Sequence, residues 1–433
     1  MPEKICPGPN TAKESKRAKR LIAPTTQNFD FALGRARGVT SCWVMDEDGE
    51  KYFDAHSGPG VFNIGHRHPA LEEVKRTAVF GYGANEYPSY ESNELAKRLA
   101  SLSPGNFDKK VFFSSSGTES VEAAIRAAQV YRRSPTMMAF EGAFHGRTSG
   151  ARTLTDRAHV TRYSYPAFPV IRLPFPEENT EMGRPDNFMK WVRRMLATKN
   201  LGEVAALFWE PIQGEGGVRV TSRPAFYSLL NEIVIPNGIL LVADEVQTFS
   251  RTGRWFASEH FYIQPDIICV AKALGGGAPI GATIMREGVC WPEGGLYSNT
   301  WGGNPFCCAC ALATLDVLKN ENLIEGSDML GRTFEKVFTK ELFRLVGNIN
   351  GVANISTSGM GLMCRIDFKD PRGNPLTDLR NKVKEEAFKR RILLMSAGDS
   401  ALRVMPPLVV SEEEVIWLAR ELARSVASAV KNL

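Results

Sequence analysis

Short apolar runs without polar alternation recur through the middle of the chain: Val111–Phe113, Met137–Phe140, Val204–Trp209, Ile239–Ala243 and Ile267–Ala271. Runs of this kind, rich in β-branched and aromatic side chains, predict strands buried on both faces. Between them the period lengthens; Val121, Ile125 and Ala128 share one face of a helix that starts behind Ser114-Ser115-Ser116-Gly117-Thr118. Alternating strands and helices predict an α/β fold with a mostly parallel central sheet, which binds ligands at the carboxyl ends of its strands. Upstream, Leu95, Leu99 and Leu102 mark another amphipathic helix. Residues 41–54 read as a hairpin about Asp48-Gly49, a turn pair that accepts positive φ. Residues 1 to 35 read as an arm whose short helix exposes Lys13, Lys16, Arg17, Lys19 and Arg20. Gly58, Gly60 and Gly65 predict a loop over 57–68 that passes close to another group, with His66 and His68 either bonded to backbone or serving as ligands.

After residue 325 the texture changes. A charged helix over Phe334–Val346 leads to an alternating stretch ending Gly361–Phe368, a helix over Lys382–Lys389 and a strand over Ile392–Met395. The last helix opens with the capping box Ser411-x-x-Glu414. The expected organisation is an N-terminal arm with part of a small domain (1–70), a large domain (71–325) and a smaller α+β domain (326–433).

Composition narrows the function classes. Hydrophobic content of 43%, charged content of 23% and a net charge of +5 describe an ordinary globular chain. The charge is too small and too scattered for a nucleic-acid stripe, so no nucleic-acid partner is expected. No run approaches the roughly 20 apolar residues that cross a bilayer, and Met1–Asn10 is polar where a signal peptide is apolar. No membrane association and a cytoplasmic location are expected. Eight cysteines fit a reducing compartment. Cys307-x-x-Cys310 has no second pair or nearby histidine to complete a zinc site, so no metal is expected.

The strand ends carry the chemistry. Ser116, Gly117 and Thr118 stand at a helix start, where free N–H groups and the macrodipole suit a phosphate, although serine and threonine are also ordinary helix caps. Phe144, His145 and Arg147 share the glycine-loosened loop after the second run, and Glu210 and Glu215 follow the third. Asp244 directly follows the fourth, and a carboxylate there is costly to bury unless a cation meets it. Lys272 ends the fifth before Gly275-Gly276-Gly277. A lysine in that position either caps the strand and reaches solvent or is desolvated toward a neutral, nucleophilic amine. Phosphate cradle, aromatic stacker, buried acid and buried amine are together the groups that a pyridoxal phosphate site requires.

SSSGTESVEAA, AFHGRT, EPIQGEGG, DEVQTFSRTG, AKALGGGAPIG and NTWGGNP, in this order and spacing, resemble the motifs of the class III pyridoxal phosphate aminotransferases acting on 4-aminobutyrate, ornithine and acetylornithine. The resemblance covers nearly the whole chain. It implies a fold-type I transferase using pyridoxal 5'-phosphate, at least a homodimer, acting on a small-molecule amino donor and a 2-oxo acid acceptor. Lys272 would hold the cofactor as a Schiff base and shuttle the proton, and Asp244 would pair with the ring nitrogen. Phe144 and Val246 would cover the ring faces, with Gln247 at the ring hydroxyl. Gly117 and Thr118 would bind phosphate, completed by Thr300 from a neighbouring subunit. Arg403 would take the substrate α-carboxylate, Glu215 would pair with it for substrates lacking one, and Arg147 would take a second carboxylate. Two positions depart from the family pattern: Pro59 at the substrate entrance and Tyr297 before Ser298-Asn299-Thr300.

The implied reaction moves an amino group, a terminal one as in 4-aminobutyrate or ornithine, to 2-oxoglutarate by a ping-pong route. A racemase or epimerase on the same scaffold would use Lys272, Asp244 and Arg403 equally well. A glutamate-semialdehyde aminomutase has less use for Glu215 with Arg403, and a non-catalytic relative would be expected to lose Lys272 or Asp244.

Overall fold

The structure, a computed structural model, describes residues 7–23, 31–34, 41–78, 81, 86–347 and 353–431. It divides into two compact units: Ala70–Glu325, and Met1–Pro69 together with Gly326–Leu433.

The larger unit is built on seven strands: β1 (Lys109–Ser114), β2 (Thr136–Phe140), β3 (Val170–Leu173), β4 (Val204–Trp209), β5 (Leu240–Asp244), β6 (Ile267–Val270) and β7 (Gly281–Arg286). They lie in the order β1-β7-β6-β5-β4-β2-β3. β7 runs antiparallel to both neighbours; every other adjacent pair is parallel. The central strands are apolar because both faces are covered: all six residues of β4 are buried. Each side chain such as Leu207 or Phe208, at zero exposure, contributes about 1.5–3 kcal/mol through burial.

Two strands were hidden from the apolar pattern. β3 is an edge strand broken by Arg172, whose guanidinium turns aside to bind the carbonyls of Thr153, Leu154 and Thr155. β7 begins at Gly281, where a Cβ would stand 2.5 Å from the Ser120 hydroxyl, so the glycine marks a close approach rather than a loop. β5 also extends one residue beyond expectation and ends on Asp244, while β6 stops at Val270.

In the smaller unit, Trp43–Met45 pairs antiparallel with Lys51–Asp54 about a turn with Gly49 at φ +80°, as the Asp48-Gly49 pair implies. Asp48 also accepts the Asn10 and Thr11 backbone N–H groups at 3.0 and 2.8 Å, and so caps the arm helix Pro9–Leu21. Gly65 sits at φ +80° with the Val409 side chain 2.8 Å from where a Cβ would be, which accounts for the glycine-bearing loop. A four-stranded sheet follows, ordered Asn354–Met360, Met363–Lys369, Ala401–Val404, Met395–Ala397.

Several expectations change here. The alternating stretch ending Gly361–Phe368 forms a hairpin, in which Gly361 (φ +56°) turns the chain. The Ile392–Met395 strand splits: Ile392–Leu393 joins Lys51–Asp54, and Met395–Ala397 joins Ala401–Val404. The helices start earlier, spanning Leu323–Val346 and Thr377–Lys389. The Ser411/Glu414 capping box is present. The His66 ring bonds the Asp54 carboxylate at 2.7 Å instead of backbone. Among the described residues no helix is long and apolar enough to cross a membrane, and no cluster of potential metal ligands occurs.

Candidate active site

Lys272 follows β6 in a left-handed conformation, φ +43°. For a residue with a Cβ this costs about 1–2 kcal/mol. Backbone strain held at one half-buried lysine is a mark of a functional position. The chain leaves through Gly276 at φ +56° and Gly277 at φ +116°, conformations that only glycine adopts cheaply.

Asp244 stands one strand away and is 6% exposed. Its Oδ2 lies 2.8 Å from Nδ1 of His145, and its Oδ1 accepts the Val246 N–H at 3.1 Å. The carboxylate therefore fixes the imidazole tautomer with Nδ1–H donating. His145 is held in turn: its backbone N–H donates to Thr155 Oγ1 at 3.0 Å, and its ring meets Phe208 edge-on with centroids 5.8 Å apart. The opposite ring nitrogen, Nε2, is buried without a hydrogen-bond partner.

Glu210, beyond β4, is a second buried carboxyl. It accepts the Phe144 backbone N–H at 3.1 Å. Burial, reinforced by the neighbouring Asp244, holds its proton affinity well above the usual carboxylate range. Through its hydrogen bond Glu210 orients the loop that presents Phe144, whose ring carries the Arg147 guanidinium 4.9 Å from its centroid.

The helix Gly117–Arg132 opens onto the same space. Ser116 is its cap, accepting the Glu119 N–H at 3.4 Å, so its hydroxyl is used structurally and it does not border the cavity. A Cβ on Gly117 would stand 2.7 Å from Val246, which packs directly over the helix start. Thr118 exchanges a 2.7 Å hydrogen bond with Thr148, whose hydroxyl donates to Glu122 at 2.6 Å. Gly214 lets the Gln247 amide lie directly against the backbone, 1.6 Å from where a Cβ would stand.

These groups border one cavity of about 760 Å³, counted to its open mouth. It joins Gly117, Thr118, Phe144, His145, Asp244 and Lys272, and on the same lining Arg147, Glu210, Glu215, Val246 and Gln247. Thr300 is outside it, exposed on a loop that Asn299 anchors to the Phe113 carbonyl at 3.0 Å. Tyr297 packs against Phe112 and Trp291, with centroids 5.3 and 5.7 Å away. Burial and the nearby Glu122 and Glu119 push its phenol up to about 12, so it stays protonated. Pro59 and Arg403 belong to the other unit: Pro59 is half-buried in the turn Ser57–Gly60, and Arg403 is fully buried in Ala401–Val404.

Sequence reasoning passed over Gly146 and Ile212 on the lining, and the supports Thr148, Thr155 and Asp156. Gly146 (φ +135°) carried a signal in being a glycine beside His145. The supports had none, since they act through long-range bonds.

The chain belongs to the class III aminotransferases, whose family model matches residues 21–426. Members are pyridoxal 5'-phosphate-dependent transaminases, so this protein is an enzyme of that class with that cofactor. It is 35% identical over 399 residues to the acetylornithine aminotransferase of Methanosarcina acetivorans, covering 92% of each chain. It is 36% identical over 417 residues to the putrescine aminotransferase of Pectobacterium atrosepticum, covering 93% of this chain and 84% of that one. Its fold is similar to a thermostable (S)-enantioselective omega-transaminase from Thermomicrobium roseum, with a TM-score of 0.84, 27% identity and coverage of 97% and 98%.

Proposed function

We propose that this transaminase moves a terminal amino group, from a donor such as 4-aminobutyrate or ornithine, to 2-oxoglutarate in a ping-pong cycle. The observation that carries the reading is the Arg147 guanidinium, stacked on Phe144 in a cavity that Glu215 also borders. A planar, permanently charged guanidinium suits a carboxylate at the far end of a substrate. The relatives named for acetylornithine and putrescine support a terminal-amine donor.

The residues present suit the cofactor. Gly117 and Gly146 border the cavity beside Thr118 at a helix start, and having no side chain they let Val246 and Thr118 pack closely there. A buried acid backed by an imidazole matches a ring nitrogen that must stay protonated. When bound, pyridoxal phosphate supplies the electron-accepting ring that stabilises negative charge at the substrate carbon. In this reading Lys272 anchors it, and its Nζ then moves the proton at the substrate carbon. Asp244 holds the proton on the ring nitrogen, with His145 positioning the carboxylate. Phe144 and Val246 confine the ring, Gln247 meets its hydroxyl, and Gly117 and Thr118 take the phosphate. Thr300 serves a second copy of the chain, an assignment supported by its exposure on an anchored loop; the enzyme is then a homodimer at least, working in the cytoplasm. Arg403 is the α-carboxylate residue by resemblance.

Arg147→Ala tests the substrate reading. With 4-aminobutyrate, ornithine, N-acetylornithine and putrescine as donors, the variant should raise KM for 2-oxoglutarate by about 10- to 100-fold, the cost of a charged hydrogen-bonded pair. KM for pyruvate, which has no second carboxylate, should change less than threefold or so. Equal effects on both acceptors would remove Arg147 from the substrate site.

A further inference from the structure

The loop that carries Arg147 is tied to the helix Gly117–Arg132 at one oxygen. Glu122 lies four residues after Thr118 on that helix, so the two side chains share a face. Its Oε1 accepts the backbone N–H groups of Gly150 and Ala151 at 2.8 and 3.1 Å, at the start of the short helix Ser149–Leu154. The Thr148 hydroxyl reaches the same oxygen at 2.6 Å. An oxygen that already collects two N–H donors can only accept again, so the single hydroxyl hydrogen of Thr148 belongs to Glu122.

That assignment fixes the next one. Thr148 Oγ1 also lies 2.7 Å from Thr118 Oγ1, and with its own hydrogen committed it is the acceptor there. The Thr118 hydroxyl is therefore the donor, and one of its lone pairs takes the Thr148 backbone N–H at 3.4 Å. Gly146 leaves the room this needs, since a Cβ on it would overlap the Thr118 hydroxyl. Thr118 borders the cavity beside Gly117, yet all that its hydroxyl has left to offer there is a lone pair, which repels an anion. The N–H groups of the helix's first turn have no intrahelical acceptor and carry no such commitment.

We propose that Thr148 is a positioning residue that sets the strength of the phosphate site, by holding the Thr118 hydroxyl hydrogen away from it and leaving the anion to backbone N–H groups. The inference rests on the reading of Gly117 and Thr118 as the phosphate residues. A phosphate that recruits the Thr118 hydroxyl must break its bond to Thr148, and two hydroxyl oxygens are then left facing each other with no hydrogen between them. Glu122 sets the direction of the chain and Thr148 transmits it, although neither borders the cavity.

The test is equilibrium dialysis of the full chain against pyridoxal phosphate and against pyridoxal, which lacks the phosphate. The Kd for pyridoxal divided by that for pyridoxal phosphate reports the hold on phosphate alone. Valine has the shape of threonine without its hydroxyl, and position 148 is exposed and makes no side-chain cap to its helix, so Thr148→Val should fold as the parent does. It frees the Thr118 hydrogen for the anion and should raise the ratio roughly tenfold, the low end for a hydrogen bond to a charged group. Thr148→Ser, which keeps the hydroxyl, should stay within about twofold of the parent. Thr118→Val should change the ratio less than about threefold by itself and should cancel the gain when combined with Thr148→Val. A Thr148→Val ratio at or below the parent's, a serine variant that behaves like the valine one, or a gain that survives Thr118→Val overturns the inference. A parent that binds the two compounds equally would instead remove the phosphate reading itself.

Discussion

Replacing Lys272 by alanine should lower turnover by about 10⁴-fold, the upper range for removing a positioned proton-transfer group, and should abolish the visible absorbance of lysine-bound cofactor. The backbone at this position is left-handed, φ +43°, and alanine bears that conformation no worse than lysine. The fold should therefore persist, with thermal denaturation shifted by only about 1 °C, as for a change near 1 kcal/mol in a chain of this size. Loss of activity without loss of the fold is the signature expected of a group that touches the reacting atoms. An alanine variant retaining more than about 1% of turnover would place the chemistry on another residue.

Asp244→Asn should cost about 10²–10³-fold in kcat/KM, as for removal of one preorganised electrostatic contact. The substitution is conservative in shape. An asparagine oxygen can still accept from Nδ1 of His145, which lies 2.8 Å from the native carboxylate, so packing is kept and the charge alone is lost. Cofactor affinity, measured by equilibrium dialysis, should fall with it, because the neutral amide cannot hold a proton on the ring nitrogen. Glu210 cannot substitute: it is buried, its carboxylate accepts the Phe144 N–H, and burial beside Asp244 raises its proton affinity. A variant within tenfold of the parent would mean that Asp244 does not face the cofactor.

The central strands and the residues at their ends were legible because one physical demand produced both signals. A parallel sheet covered on both faces needs uninterrupted apolar runs, and any charged residue directly after such a run stands out, as Asp244 and Lys272 do. β3 and β7 escaped for the converse reason. Arg172 interrupts one, a glycine opens the other, and both are stabilised by contacts from distant residues. Ser116 shows the ambiguity of short polar side chains at helix starts, since its hydroxyl caps the helix while Gly117 and Thr118 face the cavity. The pairing of His145 with Asp244, 99 positions apart, had no local signature. Nor did the raised proton affinity of Glu210, which depends on its burial next to Asp244.

A single turnover without an acceptor tests the central claim most directly. Holoenzyme mixed with a terminal-amine donor alone should release one equivalent of carbonyl product per active site, with loss of the cofactor's visible band. Addition of 2-oxoglutarate should restore the band and release one equivalent of glutamate. Repeated exchange of solvent protons into the donor's amine-bearing carbon without any acceptor, with no carbonyl product and no loss of the visible band, would contradict amino transfer.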